Sequence, residues 1–131
     1  MTADHRATIR LRRVYEPPAP EDGVRILVDR LWPRGISRER AAIDEWMKDI
    51  APSPELRNWF CHKPERFEEF TAAYEQELAA DPVRRGLADR LLAMATRQNV
   101  TLVYAARDPV HNHAVVLQRW LNRQIRPERE E

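Results

Sequence analysis

The sequence predicts a single α/β domain, a layered structure in which helices flank a small, mostly parallel sheet. Short apolar segments alternate along the chain with longer segments whose apolar residues recur at helical spacing. The segments 24–32 and 100–106 are apolar over most of their length, which is typical of parallel strands covered on both faces. A chain of 131 residues has the length of one domain. We predict domain bounds of 7–126, with flexible termini at 1–6 and 127–131.

Three strands are predicted. The first, "ATIRLRRVYE" at 7–16, alternates apolar and polar residues. Residues 17–23 contain three prolines and form a loop before the second strand, 24–32. The third strand, "VTLVYAA" at 100–106, is the clearest because it is short, β-branched and aromatic.

Helices are predicted after four residues that can cap a helix with a side-chain oxygen, and in three cases proline follows at the first helical position. These residues are Ser37, Ser53, Asp81 and Asp108. A further helix opens at Pro64. The apolar residues expected to face the core are Phe67, Phe70, Tyr74, Leu78, Leu87, Leu91, Met94, Val116, Leu117, Trp120 and Leu121.

The segment 43–50 fits two structures. Its apolar residues Ile43, Trp46, Met47 and Ile50 fall at i, i+3, i+4 and i+7, which favours a helix. A short strand at 44–50 remains an alternative. Trp46, Trp59 and Trp120 all lie on helical stripes and are expected in the core.

Composition excludes several classes of protein. The net charge of +1 argues against non-specific nucleic-acid binding, which needs a basic face. Cys61 is the only cysteine, so no intramolecular disulfide forms and a reducing compartment is expected. No apolar run approaches the roughly 20 residues of a membrane span, and the first residues lack the apolar core of a signal peptide. We therefore expect a cytoplasmic protein without membrane contact.

Polar side chains are concentrated directly after two predicted strands. One cluster consists of Asp29, Arg30, Trp32, Arg34 and Gly35, and the other of Arg107, Asp108, His111, Asn112 and His113. If the two strands are parallel neighbours, both clusters emerge at the same edge of the sheet, where ligands bind in open α/β sheets. The predicted site is therefore shared by the two strand exits.

The residue types in these clusters suit a small anionic ligand, nucleotide-like or phosphate-like. Arginine grips carboxylate or phosphate oxygens with paired donors, and an indole suits a planar ring. The sequence leaves open whether the protein is an enzyme. We expect binding by Arg30, Trp32, Arg34, Arg107, Asn112 and His113, and any acid–base catalysis by Asp29, Asp108 or His113.

Other interpretations compete with this one. Asp108 can simply cap the helix after it by accepting the amides of residues 110 or 111. Cys61 with His62 or His113 could be a nucleophile, but lone cysteines are more often inert buried side chains. We predict neither metal nor cofactor, because His-x-His on a helix does not converge and the chain lacks zinc, P-loop and dinucleotide motifs. A regulatory module binding protein or nucleic acid, and a metal-dependent hydrolase using Asp108, His111 and His113, remain alternatives.

Three segments resemble the YeaO-like family, small bacterial proteins of unknown function. They are "RVYEPPAPEDGVRILVDRLWPRG", "APSPELRNWF" and "LVYAARDPVHNHAVVL", and the likeness extends from about residue 9 to residue 122. The resemblance implies an α/β fold and supplies no catalytic residues. Family members usually show His-Asn followed by a further Asn, so His113 is a departure from the family pattern. Neither the ligand nor the oligomeric state follows from the sequence.

Overall fold

The structure, a computed structural model, describes residues 8–125 and contains a four-stranded sheet. In chain order the strands are β1 (Ile9–Arg13), β2 (Val24–Leu27), β3 (Glu45–Trp46) and β4 (Val100–Tyr104), arranged β1-β4-β2-β3. Every pair is parallel, which confirms the predicted α/β class. The predicted flexible termini and both predicted domain bounds lie outside the described residues.

Five α-helices surround this sheet within the described residues. They are α1 (Arg38–Ala41), α2 (Pro54–Phe60), α3 (Phe67–Ala80), α4 (Pro82–Ala95) and α5 (His113–Ile125), with single 3-10 turns at 20–22, 48–50 and 64–66. The predicted caps are confirmed: Ser37, Ser53 and Asp81 accept the amides of Arg40, Leu56 and Arg84 at 3.1, 3.2 and 3.0 Å. The cap-plus-proline signal therefore located helix starts correctly at Ser53 and Asp81.

The sheet is buried on both faces by two separate apolar clusters. Because side chains alternate along a strand, β4 sends Leu102 to the larger cluster under α3, α4 and α5, and Val103 to the smaller cluster on the α1 side. In the same way Ile26 and Leu27 of β2 point to opposite faces. Burial on both faces explains why these strands are apolar throughout.

The helix favoured for residues 43–50 is wrong. The segment forms β3 and then a 3-10 turn, Lys48–Ile50. Its backbone pairs with the open side of β2, since Met47 donates its amide to Leu27 at 2.9 Å. The apolar residues that suggested one helical face divide between the two faces of the sheet: Ile43 and Trp46 pack in the smaller cluster, and Met47 and Ile50 in the larger.

Two further expectations need correction. The strands are shorter than predicted, with β1, β2 and β4 ending at Arg13, Leu27 and Tyr104. The chain turns after Arg13, whose carbonyl accepts the amide of Glu16 at 3.0 Å, and beyond Val28 the side chain of Asp29 replaces the backbone as partner of the Ala105 amide. Trp59 is 39% exposed and lies on the outer face of α2, so it is not a core residue. Of the four tryptophans, only Trp120 is both helical and buried.

Candidate functional site

The two polar clusters leave the sheet side by side. β2 and β4 are parallel neighbours, with Leu27 opposite Val103, and Val28 extends the ladder by donating its amide to Val103 at 3.1 Å. Residues from both strand exits line one cleft of about 720 Å³. The two clusters therefore share one cleft at the same edge of the sheet, as the sequence predicted. The predicted residues on its walls are Asp29, Arg30, Trp32, Arg34, Arg107, Asp108 and His113.

Asp29 joins the two strands at the base of this cleft. One carboxylate oxygen accepts the amide of Ala105 at 3.0 Å, and its backbone carbonyl accepts the indole N–H of Trp46 at 2.7 Å. The other carboxylate oxygen is buried and lies 3.5 Å from Nε2 of His113. Burial raises the pKa of the Asp29 carboxyl, and the nearby His113 and the Ala105 amide offset only part of this rise.

His113 opens α5 and reaches back to the end of β2. Its Nε2 lies 3.0 Å from the carbonyl oxygen of Val28. A carbonyl can only accept, so Nε2 carries the proton, and in the neutral imidazole Nδ1 is then an acceptor. His113 lines the cleft, and the Val28 carbonyl fixes the orientation of its ring.

The turn before α5 is held by Asp108 and Asn112. Asp108 accepts the amides of Val110 and His111 at 2.9 and 3.0 Å, and it also contacts Nδ1 of His111 at 2.9 Å. These amides and the His111 ring lower the pKa of Asp108 to about 2. The predicted capping contact is therefore present, but the predicted helix start at residue 109 is wrong, because α5 begins at His113.

Asn112 is the residue that caps α5. Its Oδ1 accepts the amide of Val115 at 3.0 Å, and its Nδ2 donates to the carbonyl of Asp108 at 2.7 Å. The side chain is 3% exposed, so both of its polar ends serve the backbone. Asn112 thus positions His113 at the cleft, and we assign it no direct contact with a ligand. His111 packs edge-on against Phe67 with ring centroids 5.1 Å apart.

The arginines of the cleft differ in their partners. Arg30 donates to Asp49 at 2.8 Å, across an exposed ion pair. Arg34 and Arg107 are exposed on the cleft walls, and within residues 8–125 neither has a carboxylate at ion-pair distance. These two guanidinium groups are therefore free to take an anion from solution.

Trp32 lines the cleft but does not present a free ring. Its indole N–H donates to the carbonyl of Ile36 at 2.9 Å, and its ring meets that of Trp46 edge to face with centroids 5.7 Å apart. The guanidinium of Arg38 lies 4.7 Å from the ring centroid. The tryptophan closes its own loop against the smaller apolar cluster, so part of its ring surface is already covered.

Sequence reasoning missed the contribution of α2. Arg57 projects from this helix into the cleft, and its Nε is buried without any hydrogen-bond partner in the described part of the chain. His62 follows the helix and also lines the cleft. The sequence did offer one signal. Arg57 lies between Leu56 and Phe60, at the border of the apolar face of α2, and an arginine in that position is partly covered by the rest of the domain.

A second, smaller cavity of about 300 Å³ adjoins the cleft. Its walls are mainly apolar and include Pro52, Phe60 and Phe70. The two spaces are adjacent, because four residues line both of them. These residues are Arg57, His62, Ala106 and His113. We call the smaller space the inner cavity.

Two features are absent from residues 8–125. No three His, Cys, Asp or Glu side chains lie together as metal ligands would. No helix in the same range has the length and apolar character required to cross a membrane.

Comparison with known proteins places the chain in a family. A family model described as "Inactive DUF488-N3 subclade" matches residues 8–131. An uncharacterised protein of Mycobacterium tuberculosis H37Rv, Rv3073c, is 46% identical over 114 residues, which is 87% of this chain and 93% of that protein. The uncharacterised protein YeaO of Escherichia coli K12 is 45% identical over 113 residues, 86% of this chain and 96% of YeaO. No solved structure matches the chain. With near full-length likeness to YeaO and a matching family model, the chain belongs to the YeaO-like family of unknown function, in the DUF488-N3 subclade.

Proposed function

We propose that this protein is a cytoplasmic binder of small anions of the phosphate type, which it holds in the cleft at the carboxyl ends of β2 and β4. One observation carries the proposal: four arginines and two aspartates line the same cleft, and three of those arginines have no carboxylate partner among residues 8–125. The three are Arg34, Arg57 and Arg107. Low-dielectric walls strengthen the attraction of such a cleft for an anion.

The two aspartates offset this positive charge only in part, since two carboxylates face three guanidinium groups that have no ion pair. Asp108 is already occupied by two backbone amides and the His111 ring. Asp29 lies at the base of the cleft, where its oxygens face the Ala105 amide and His113. The unpaired guanidinium groups therefore dominate the open part of the cleft.

Binding without turnover is the interpretation we favour. With a pKa of about 2, Asp108 stays ionised near neutral pH and is a poor proton donor. His113 has one nitrogen committed to the Val28 carbonyl. The description of the subclade as inactive supports the same choice. No set of metal ligands in the described residues favours the hydrolase alternative.

The proposal is tested by calorimetric titration with inorganic phosphate and pyrophosphate. We expect both anions to bind wild-type protein and Arg119→Ala, whose exposed arginine on α5 lies outside the cleft. Arg57→Gln and Arg107→Ala should each weaken binding by about 10-fold to 100-fold, because a hydrogen bond to a charged group contributes about 1.5–3 kcal/mol. Equal affinity in all four proteins, or no binding to any of them, would refute the proposal.

A further inference from the structure

We infer that the ligand is a phosphate that carries a flat ring, of the size of a mononucleotide, with its ring in the inner cavity and its phosphate on Arg57. This inference rests on the proposed function and names the ligand class for the same site. It adds the inner cavity and Arg57, neither of which follows from the two strand exits.

The inner cavity has the character of a ring-binding pocket. Phe60 and Phe70 stack with centroids 4.3 Å apart and an angle of 18° between their planes, and they form a rigid aromatic wall. Pro52 and Ala106 complete the apolar lining. Pockets of about 300–1,000 Å³ with mainly apolar walls and a few fixed polar groups are typical of small-molecule sites. Burial of a ring in this space removes apolar surface from water on both partners.

Arg57 lies where the two cavities adjoin. It lines both of them, and its buried Nε has no partner within the described residues. Arg57 also has no carboxylate partner among residues 8–125, so a phosphate that accepts from its guanidinium meets a positive charge that no ion pair already offsets. An anion bound there lies in the cleft with Arg34 and Arg107 on the walls and the inner cavity beside it. A substituent on that anion can then enter the apolar space.

Trp32, the other large ring at the cleft, is a poorer platform for a ligand ring. Its indole N–H is bonded to Ile36, its ring meets that of Trp46 edge to face, and the guanidinium of Arg38 lies over it. The inner cavity, in contrast, has two phenylalanine rings on its wall and adjoins the arginines of the cleft.

The first test compares inorganic phosphate, ribose 5-phosphate and adenosine monophosphate by calorimetric titration of the full chain. We expect adenosine monophosphate to bind at least about 10-fold more tightly than ribose 5-phosphate, which equals about 1.4 kcal/mol. Asn58→Trp should abolish this difference, because Asn58 is exposed on α2 and lines the inner cavity, and should leave phosphate binding unchanged. Glu55→Trp, on the same helix but outside both cavities, is the matched control.

A second test needs no variant. Cys61 lines the inner cavity and is the only cysteine, so alkylation by iodoacetamide reports on that cavity alone. Adenosine monophosphate should slow the alkylation of Cys61 several-fold, whereas ribose 5-phosphate at equal saturation should not.

The results of these tests distinguish a failure of this inference from a failure of the proposed function. If all three phosphates bind with similar affinity, or if adenosine monophosphate leaves Cys61 unprotected, the inference is wrong and the anion site stands. If Asn58→Trp still binds adenosine monophosphate more tightly than ribose 5-phosphate, the inner cavity is not the site of the ring, and the inference is equally wrong. If none of the three phosphates binds, the proposed function itself is wrong.

Discussion

At the scale of single residues, two glycines differ in whether the backbone requires glycine at that position. Gly23 has φ of 65° in the turn before β2, and a Cβ there would overlap the carbonyl oxygen of Asn99. That carbonyl accepts the amide of Val24 at 2.9 Å, so the close approach belongs to the sheet itself. Gly86 lies inside α4, and a Cβ would meet nothing within 4 Å.

Alanine at these two positions should have effects of opposite sign. Gly23→Ala combines an unfavourable φ with a backbone overlap and should lower the free energy of unfolding by about 1–3 kcal/mol or more. Gly86→Ala improves helix propensity and should raise it by about 0.5–1 kcal/mol. Urea denaturation followed by circular dichroism measures both. A destabilised Gly86→Ala or a neutral Gly23→Ala would contradict this account of the backbone.

At the scale of elements, the turn between β4 and α5 decides where His113 is placed. Four backbone or side-chain hydrogen bonds made by Asp108 and Asn112 replace the first turn of a regular helix. The sequence signal Asp-Pro was correct about capping at Asp108 and wrong about where the helix starts. A sequence pattern gives the local amide contacts of an aspartate, but a buried Asn112 that caps the next turn depends on packing against the core.

The pKa of Asp108 makes this turn sensitive to acid. Because the folded-state pKa is lowered from 3.8 to about 2, ionised Asp108 stabilises the folded protein. This contribution is fully present above a pH of about 4 and is lost as the pH falls towards about 2. The Asp108→Asn variant lacks this contribution to stability. Urea unfolding at several pH values should show the stability gap between wild type and Asp108→Asn closing as the pH is lowered through this window, and a gap that stays constant would contradict the assignment.

At the scale of the whole molecule, parallel topology brings remote segments to one edge. The strand order β1-β4-β2-β3 makes β2 and β4 neighbours although more than 70 residues separate them in sequence. The site therefore combines two strand exits with α2. Its charge is local, since the chain as a whole carries only +1.

A local excess of cations predicts that anion binding depends on salt. The affinity for inorganic phosphate should fall several-fold as the sodium chloride concentration rises from about 0.01 M to about 1 M, because the screening length shrinks from about 30 Å to about 3 Å. The residual affinity at high salt should be lower still in Arg107→Ala, whose exposed guanidinium is lost. Calorimetric titration across this range measures the effect. Binding independent of salt would show that the exposed arginines do not contribute.

Different parts of the site were accessible to sequence reasoning to different degrees. Asp29, Arg34, Arg107 and His113 were predictable because each follows a strand or opens a helix at a recognisable position. Arg57 was missed because the strand before its helix, β3, lies in the segment 43–50, for which a helix was favoured. The partial covering of Trp32 was not predictable, because the sequence does not show which neighbours lie against an aromatic ring.

The sequence by itself determined the α/β class, the helix caps and the placement of two polar clusters after two strands, because hydrophobic periodicity and capping depend on neighbours along the chain. Only the tertiary structure decided that residues 43–50 pair with β2 as a strand and that Arg57 joins an apolar inner cavity to the cleft. Both depend on contacts between segments distant in sequence, since the open edge of a strand and an arginine at a helix border acquire these neighbours only after the chain has packed.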